Sequence, residues 1–159
     1  MKHLLVILLI ASFTITRSLA QTDTLALADD KKLNEYFQQH NIHPQRTASG
    51  LYYVIKRVGY GPYLRKRQVA SLIYTGRNLD GSIFDSNIEH IKKGGEPLKV
   101  HVGLNEVVDG LDEGLRLLKM NGSATFYLPS KLGYGAHPPD ATIPKNGILI
   151  FDVEVTEVL

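Results

Sequence analysis

The chain has 159 residues, with 18 lysines and arginines against 16 aspartates and glutamates, a formal net charge of +2. That length suits one domain with a core of its own, and the interspersed charges leave neither a nucleic-acid-binding stripe nor an acidic tail. There are no cysteines, which excludes disulfides, thiolate nucleophiles and cysteine-based metal sites.

At the N-terminus Lys2 and His3 precede an apolar run over residues 4–11, and Ser18, Leu19 and Ala20 form a small-residue region before Gln21. This pattern predicts a secretory signal peptide over residues 1–20, cleaved after Ala20. The run falls short of the ~20 residues needed to span a bilayer, and no cysteine follows it to carry a lipid. An exported protein is expected, in a bacterial periplasm or cell envelope, with no stable membrane insertion after cleavage. Residues 21–49 read as a flexible polar arm, up to Ala28, and a short amphipathic helix. Asp29 and Asp30 read as the cap and acidic first turn of that helix, with Leu33, Tyr36 and Phe37 on one face. A single apolar stripe docks on something, either the main domain or a second copy of the chain.

From Gly50 the pattern alternates. Residues 51–56 predict a strand that the cluster Gly59, Tyr60, Gly61, Pro62 ends. In the strand predicted over 69–74, Ala70, Leu72 and Tyr74 share a face. Turn chemistry at Leu79, Asp80 and Gly81 leads to Ile83 and Phe84, and a short strand follows over 99–102. Residues 105–118 carry the one helical pattern of the domain, and its two internal glycines, Gly110 and Gly114, cost helix stability and so imply close packing against a flat surface. Strands over 124–128 and 148–155 complete the set. On the last, Leu149, Phe151, Val153 and Val155 face the core, while Asp152, Glu154 and Thr156 face solvent. The expected fold class is α+β, a twisted antiparallel sheet wrapped around one short helix with an N-terminal helical extension.

The usual catalytic vocabulary is missing. Histidines 40, 43, 90, 101 and 137 are scattered without metal-type pairing, and no nucleophile elbow, phosphate loop or dinucleotide fingerprint is present. Neither a metal nor a cofactor is expected. Three separated motifs carry the information instead: residues 74–86 (Tyr-Thr-Gly-Arg-Asn-Leu-Asp-Gly-Ser-Ile-Phe-Asp-Ser), 107–111 (Val-Val-Asp-Gly-Leu) and 132–135 (Leu-Gly-Tyr-Gly). In this order they resemble an FKBP-type peptidyl-prolyl cis-trans isomerase, over residues 50–159.

The resemblance implies a rotamase that uses an apolar pocket without covalent or metal chemistry, acting on proline-containing polypeptides and able to bind macrolides such as rapamycin. It implies catalytic roles for Asp85, Tyr134, Phe84 and Phe151, with the two phenylalanines as opposite walls, and substrate contacts from Tyr74, Leu98, Val107, Val108, Leu111 and Ile143. Within it, Val108 offers a backbone N–H and Tyr134 a hydroxyl to substrate carbonyls, and Asp85 organises the site. Taken singly, most of these apolar residues would be ordinary core. Three positions depart from the family pattern: Leu111 stands where many members have tryptophan, residues 87–96 are longer than the compact family loop and provide no assignable arginine for Asp85, and Asn78 replaces an apolar residue. The reading from another functional class is a noncatalytic binding module or holdase that keeps the fold and only grips apolar segments.

Overall fold

The computed structural model describes residues 24–159. The leader read over 1–20 and the cleavage point before Gln21 lie outside the described residues. Helix α1 occupies residues 24–39, so the segment expected to be an arm is helical from residue 24 onward. Asp29 and Asp30 accordingly sit within the helix and do not cap it. No helix among the described residues is long and apolar enough to cross a membrane.

Strands β1 (Gln45–Arg46), β2 (Tyr52–Arg57) and β3 (Tyr60–Tyr63) follow, the last being a strand where the sequence predicts only a turn. Next come β4 (Val69–Asn78), β5 (Ile83–Ser86), a five-residue helix α2 (Ile88–Lys92) inside the long 87–96 segment, and β6 (Leu98–His101). Helix α3 (Asp109–Leu115), β7 (Lys119–Met120), β8 (Ser123–Leu128), a 3-10 turn (Ser130–Leu132) and β9 (Leu149–Val158) complete the chain. The main sheet is antiparallel in the order β1-β2-β8-β9-β4-β5, and β6 also pairs with β4; β3 and β7 form a separate ribbon. β4 therefore has two successive neighbours on one edge. Its first half pairs with β6, from Val69 opposite His101 to Leu72 opposite Leu98, and its second half with β5.

The inner face of the sheet packs on α3. Leu111, Leu115 and Leu118 join Leu72, Phe126, Leu128, Phe151 and Val153 in one buried cluster. The helix glycines explain the closeness of that contact. A Cβ on Gly110 would lie 2.6 Å from the Leu128 side chain, and one on Gly114 would lie 2.7 Å from the Phe126 ring.

The outer face differs from expectation, because it is not left to solvent. Tyr52, Tyr127 and Ile150 stand opposite one another across β2, β8 and β9, and this row forms a second buried cluster with Leu33 and Phe37 of α1. Phe37 meets Tyr127 edge to face with ring centroids 5.0 Å apart, and Tyr52 at 5.2 Å. The amphipathic stripe thus docks on its own domain. Further along the outer face Asp152 accepts a hydrogen bond from Thr125 and pairs with Arg77, while Glu154 pairs with Arg57, which matches the expected polar character there.

The tight α3 contact generates a prediction whose sign runs against helix propensity. In a free helix Gly114→Ala is favourable by about 1 kcal/mol, but here the new methyl must displace the Phe126 ring, and overpacking of this kind costs about 1–3 kcal/mol. The urea midpoint of Gly114→Ala is expected to fall; a rise would show that the ring yields freely.

Candidate active site

Beyond the end of α3 nearest Val108, the sheet, the helix and the loop after the 3-10 turn enclose a cavity of about 170 Å³. It is lined by Leu72, Tyr74, Asp85, Leu98, Glu106, Val107, Val108, Leu111, Tyr134 and Phe151. Eight of the ten residues assigned to the site by resemblance are therefore brought together. Ile143 is buried in the core cluster and does not line the cavity, and Phe84 packs beside it without lining it.

The two phenylalanines are not opposite walls. Their rings meet edge to face, with centroids 5.6 Å apart and planes at 84°, and so build one wall. Local register explains how. Gly76 of β4 is opposite Asp85 and Arg77 is opposite Ile83, so Phe84 is an extra residue, a bulge on β5. In a regular strand consecutive side chains point to opposite faces, and a bulge re-aims one of them. Phe84 and Asp85 can then serve the same face.

Asp85 accepts a hydrogen bond of 2.7 Å from the Tyr74 hydroxyl. Arg77, next in sequence to Gly76, the carboxylate's neighbour across the strand pair, is engaged instead with Asp152 on the outer face. A phenol thus occupies Asp85 where the sequence offered no arginine. Burial, then the hydrogen bond to Asp85 and its charge, push the Tyr74 hydroxyl well above its usual range. Burial and the charges of Asp85 and Asp140 raise the Tyr134 hydroxyl in the same direction. Both remain neutral donors at physiological pH.

Two donors at the cavity are unused. Among the described residues the Tyr134 hydroxyl and the Val108 N–H make no hydrogen bond, whereas the Val108 carbonyl accepts from Leu111 and Asp112 to start α3. Leu111, on the first turn of that helix, is almost fully buried beneath the opening. Leu98, opposite Leu72 on β6, is partly exposed at the rim.

Sequence reading did not assign Leu72, Glu106 or Asn87 to the site. Strand alternation already put Leu72 on the face of Tyr74, two residues on, and that signal could have placed it there. Glu106 is held at the rim by His101, whose N–H and ring nitrogen lie 2.7 and 2.8 Å from its carboxylate oxygens; no local pattern announces it. Asn87 fills the gap where β4 changes neighbours. Its amide oxygen accepts from Tyr74 N at 2.9 Å and its amide nitrogen donates to Leu72 O at 2.8 Å, in place of a strand. Asn78 is likewise structural in its contacts, donating to Ser82 and to the carbonyl of Thr142 in the loop beyond Tyr134.

Comparison with known proteins agrees with this geometry. The family model of the FKBP-type peptidyl-prolyl cis-trans isomerase matches residues 61–156. A probable FKBP-type peptidyl-prolyl cis-trans isomerase of Haemophilus influenzae is 39% identical over 112 residues, 70% of this chain and 44% of the relative. The FKBP-type peptidyl-prolyl cis-trans isomerase FkpA of Aeromonas hydrophila is 35% identical over 141 residues, covering 87% of this chain and 50% of the relative. The chain thus spans about half the length of these curated relatives. Among solved structures, FkpA from Escherichia coli superposes with a TM-score of 0.68 at 28% identity, covering 87% of this chain and 63% of that one. AtFKBP13 superposes with a TM-score of 0.65 at 30% identity, covering 74% of this chain and 99% of that one. With the matched segment spanning every residue that lines the cavity, the chain belongs to the FKBP-type peptidyl-prolyl cis-trans isomerase family.

Proposed function

We propose that the cavity accelerates cis/trans isomerisation of X-Pro bonds in exported polypeptides. The observation that carries this reading is an apolar cavity bordered by two unpaired donors, the Val108 N–H and the Tyr134 hydroxyl, with its carboxylate already engaged by Tyr74. The isomerisation barrier of about 18–20 kcal/mol comes from lost amide resonance. A twisted amide has less charge separation than a planar one, so an environment of Tyr74, Phe151, Leu111 and Val107 favours the twisted state. Only interactions stronger in that state raise the rate. The two donors hold the flanking carbonyls and fix the chain while the bond turns. Asp85 orients Tyr74 and needs to move no proton.

Catalysis is tested by following an X-Pro peptide with the purified domain. A rate above the uncatalysed one, insensitive to chelator, is expected; folded protein that binds the peptide without accelerating exchange would leave the noncatalytic binding module. Tyr134→Phe removes one hydrogen bond and should lower kcat/KM by about three- to tenfold. Because the folded-state pKa values of Tyr74 and Tyr134 are raised from 10.0, their neutral forms are fully present below the unfolded value and are lost only as pH rises through the folded ones. Activity should therefore stay flat through the ordinary tyrosine range near pH 10 in protein that remains folded, with phenolate absorbance of these two residues appearing later than in the unfolded chain.

Leu111 beneath the opening offers no aromatic face. Rapamycin binding is expected, and Leu111→Trp should tighten it by about 0.5–1.5 kcal/mol, the usual increment of an aromatic contact beyond burial. Unchanged affinity in the folded variant, measured by titration, would remove Leu111 from the ligand's path.

The leader over residues 1–20 supports export to a bacterial periplasm or envelope. N-terminal sequencing of protein recovered from its host should begin at or within a few residues of Gln21, and an intact Met1 would count against cleavage.

A further inference from the structure

Asp29 is a buried carboxylate outside the segment that defines the family. It extends the apolar stripe of α1 by one turn, at the same helical spacing as Leu33 and Phe37, and is 1% exposed. A charge at such a site is costly unless well hydrogen-bonded. Both of its hydrogen bonds go to one residue. Asp29 Oδ2 accepts from Ser130 N at 2.8 Å and from Ser130 Oγ at 2.6 Å, while Oδ1 is buried without a partner.

Ser130 in turn holds both neighbours of Tyr134. Its carbonyl accepts from Gly133 N at 3.1 Å and from Gly135 N at 3.0 Å. Asp29 and Tyr134 are thereby joined through fully buried Ser130 and the glycines that flank the tyrosine. The other backbone ties around Tyr134 run from Leu132 N to Pro129 O, from His137 N to Tyr134 O and from Asn146 N to Gly135 O, and none of them involves α1. We propose that Asp29 is a positioning residue for the Tyr134 hydroxyl: the N-terminal helix, docked on the face of the sheet opposite the cavity, fixes the start of the loop that presents this donor. The inference rests on the reading of Tyr134 as a substrate-facing donor. It assigns α1 a role beyond covering the apolar row of Tyr52, Tyr127 and Ile150.

The alternative is that α1 contributes stability alone, and three variants separate the two roles. Asp29→Ala deprives Ser130 of its acceptor. Asp29→Asn keeps an acceptor oxygen for Ser130 while losing the charge. Leu33→Ala weakens the docking of α1 without touching Ser130. Each is assayed for kcat/KM on an X-Pro peptide at a temperature where denaturation curves show it folded, and for amide hydrogen exchange at Gly133 and Gly135. Asp29→Ala is expected to lose about tenfold in kcat/KM, since misplacing a donor by a fraction of an ångström is enough for that, and to exchange faster at both glycines. Asp29→Asn should retain most of the activity despite a lower denaturation midpoint. Leu33→Ala should lower the midpoint and keep the wild-type kcat/KM.

Wild-type activity and exchange in folded Asp29→Ala would overturn the proposal, as would an equal loss of activity in Leu33→Ala. If the wild-type protein does not catalyse the exchange, the proposed function fails on its own, and the hydrogen exchange of Gly133 and Gly135 still decides whether Asp29 holds the loop.

Discussion

The absence of a side chain at position 76 is the constraint on which the cavity depends. Gly76 stands between Asp85 on β5 and Phe151 on β9 in the register of three adjacent strands. A Cβ there would lie 2.6 Å from the Phe84 ring, closer than real contacts allow, and 3.0 Å from the Phe151 ring, tighter than most. Glycine opens the space in which the two rings meet edge to face over the strand. The bulge at Phe84, the hydrogen bond of Asp85 with Tyr74 and the Phe151 wall are all arranged around that one contact. A strand interior is an unfavourable place for glycine on backbone entropy alone, and a close approach is the usual reason to find it there.

The sheet supporting this arrangement is packed on both faces, by different means. On the inner face α3 comes close because two of its seven residues are glycines. On the outer face the docking of α1 rests on aromatic contacts with Tyr52 and Tyr127. The ion pairs of that face, Arg57 with Glu154 and Arg77 with Asp152, are half exposed and of a class that contributes only about 0–1 kcal/mol each. They keep the uncovered part of the sheet soluble. The attachment of α1 comes from apolar burial and from one buried carboxylate with two charge-assisted hydrogen bonds.

Polar side chains also stand in for strands where the topology leaves gaps. β4 exchanges β6 for β5 midway along its edge, and the Asn87 amide pairs with Leu72 and Tyr74 at the change. Both residues line the cavity, so the long 87–96 segment begins with the group that completes its wall. Buried backbone groups demand partners, and an asparagine side chain carries the same donor and acceptor as a peptide.

Alternation along the chain was enough to locate β2, β4, β8 and β9, and the two glycines of α3 announced its close packing, because a period of two or 3.6 and the cost of glycine are local properties. The three motifs were likewise enough to identify the family, and the resemblance they carry assigned eight of the cavity's ten residues. Three features came from tertiary structure alone. Ile150 shares a face with Asp152, so its neighbours suggested solvent; only the docking of α1 buries it. Phe84 and Asp85 are consecutive, so alternation would separate them; only the cross-strand register shows the bulge. Asp29 read as a helix cap because an aspartate before an amphipathic stripe ordinarily is one, and its partner lies 101 residues away. The sequence by itself determined the elements and the chemistry available, since these depend on residue type and short spacing. The fold decided which of those groups meet, because that depends on strand register and on contacts between distant segments, which no local pattern encodes.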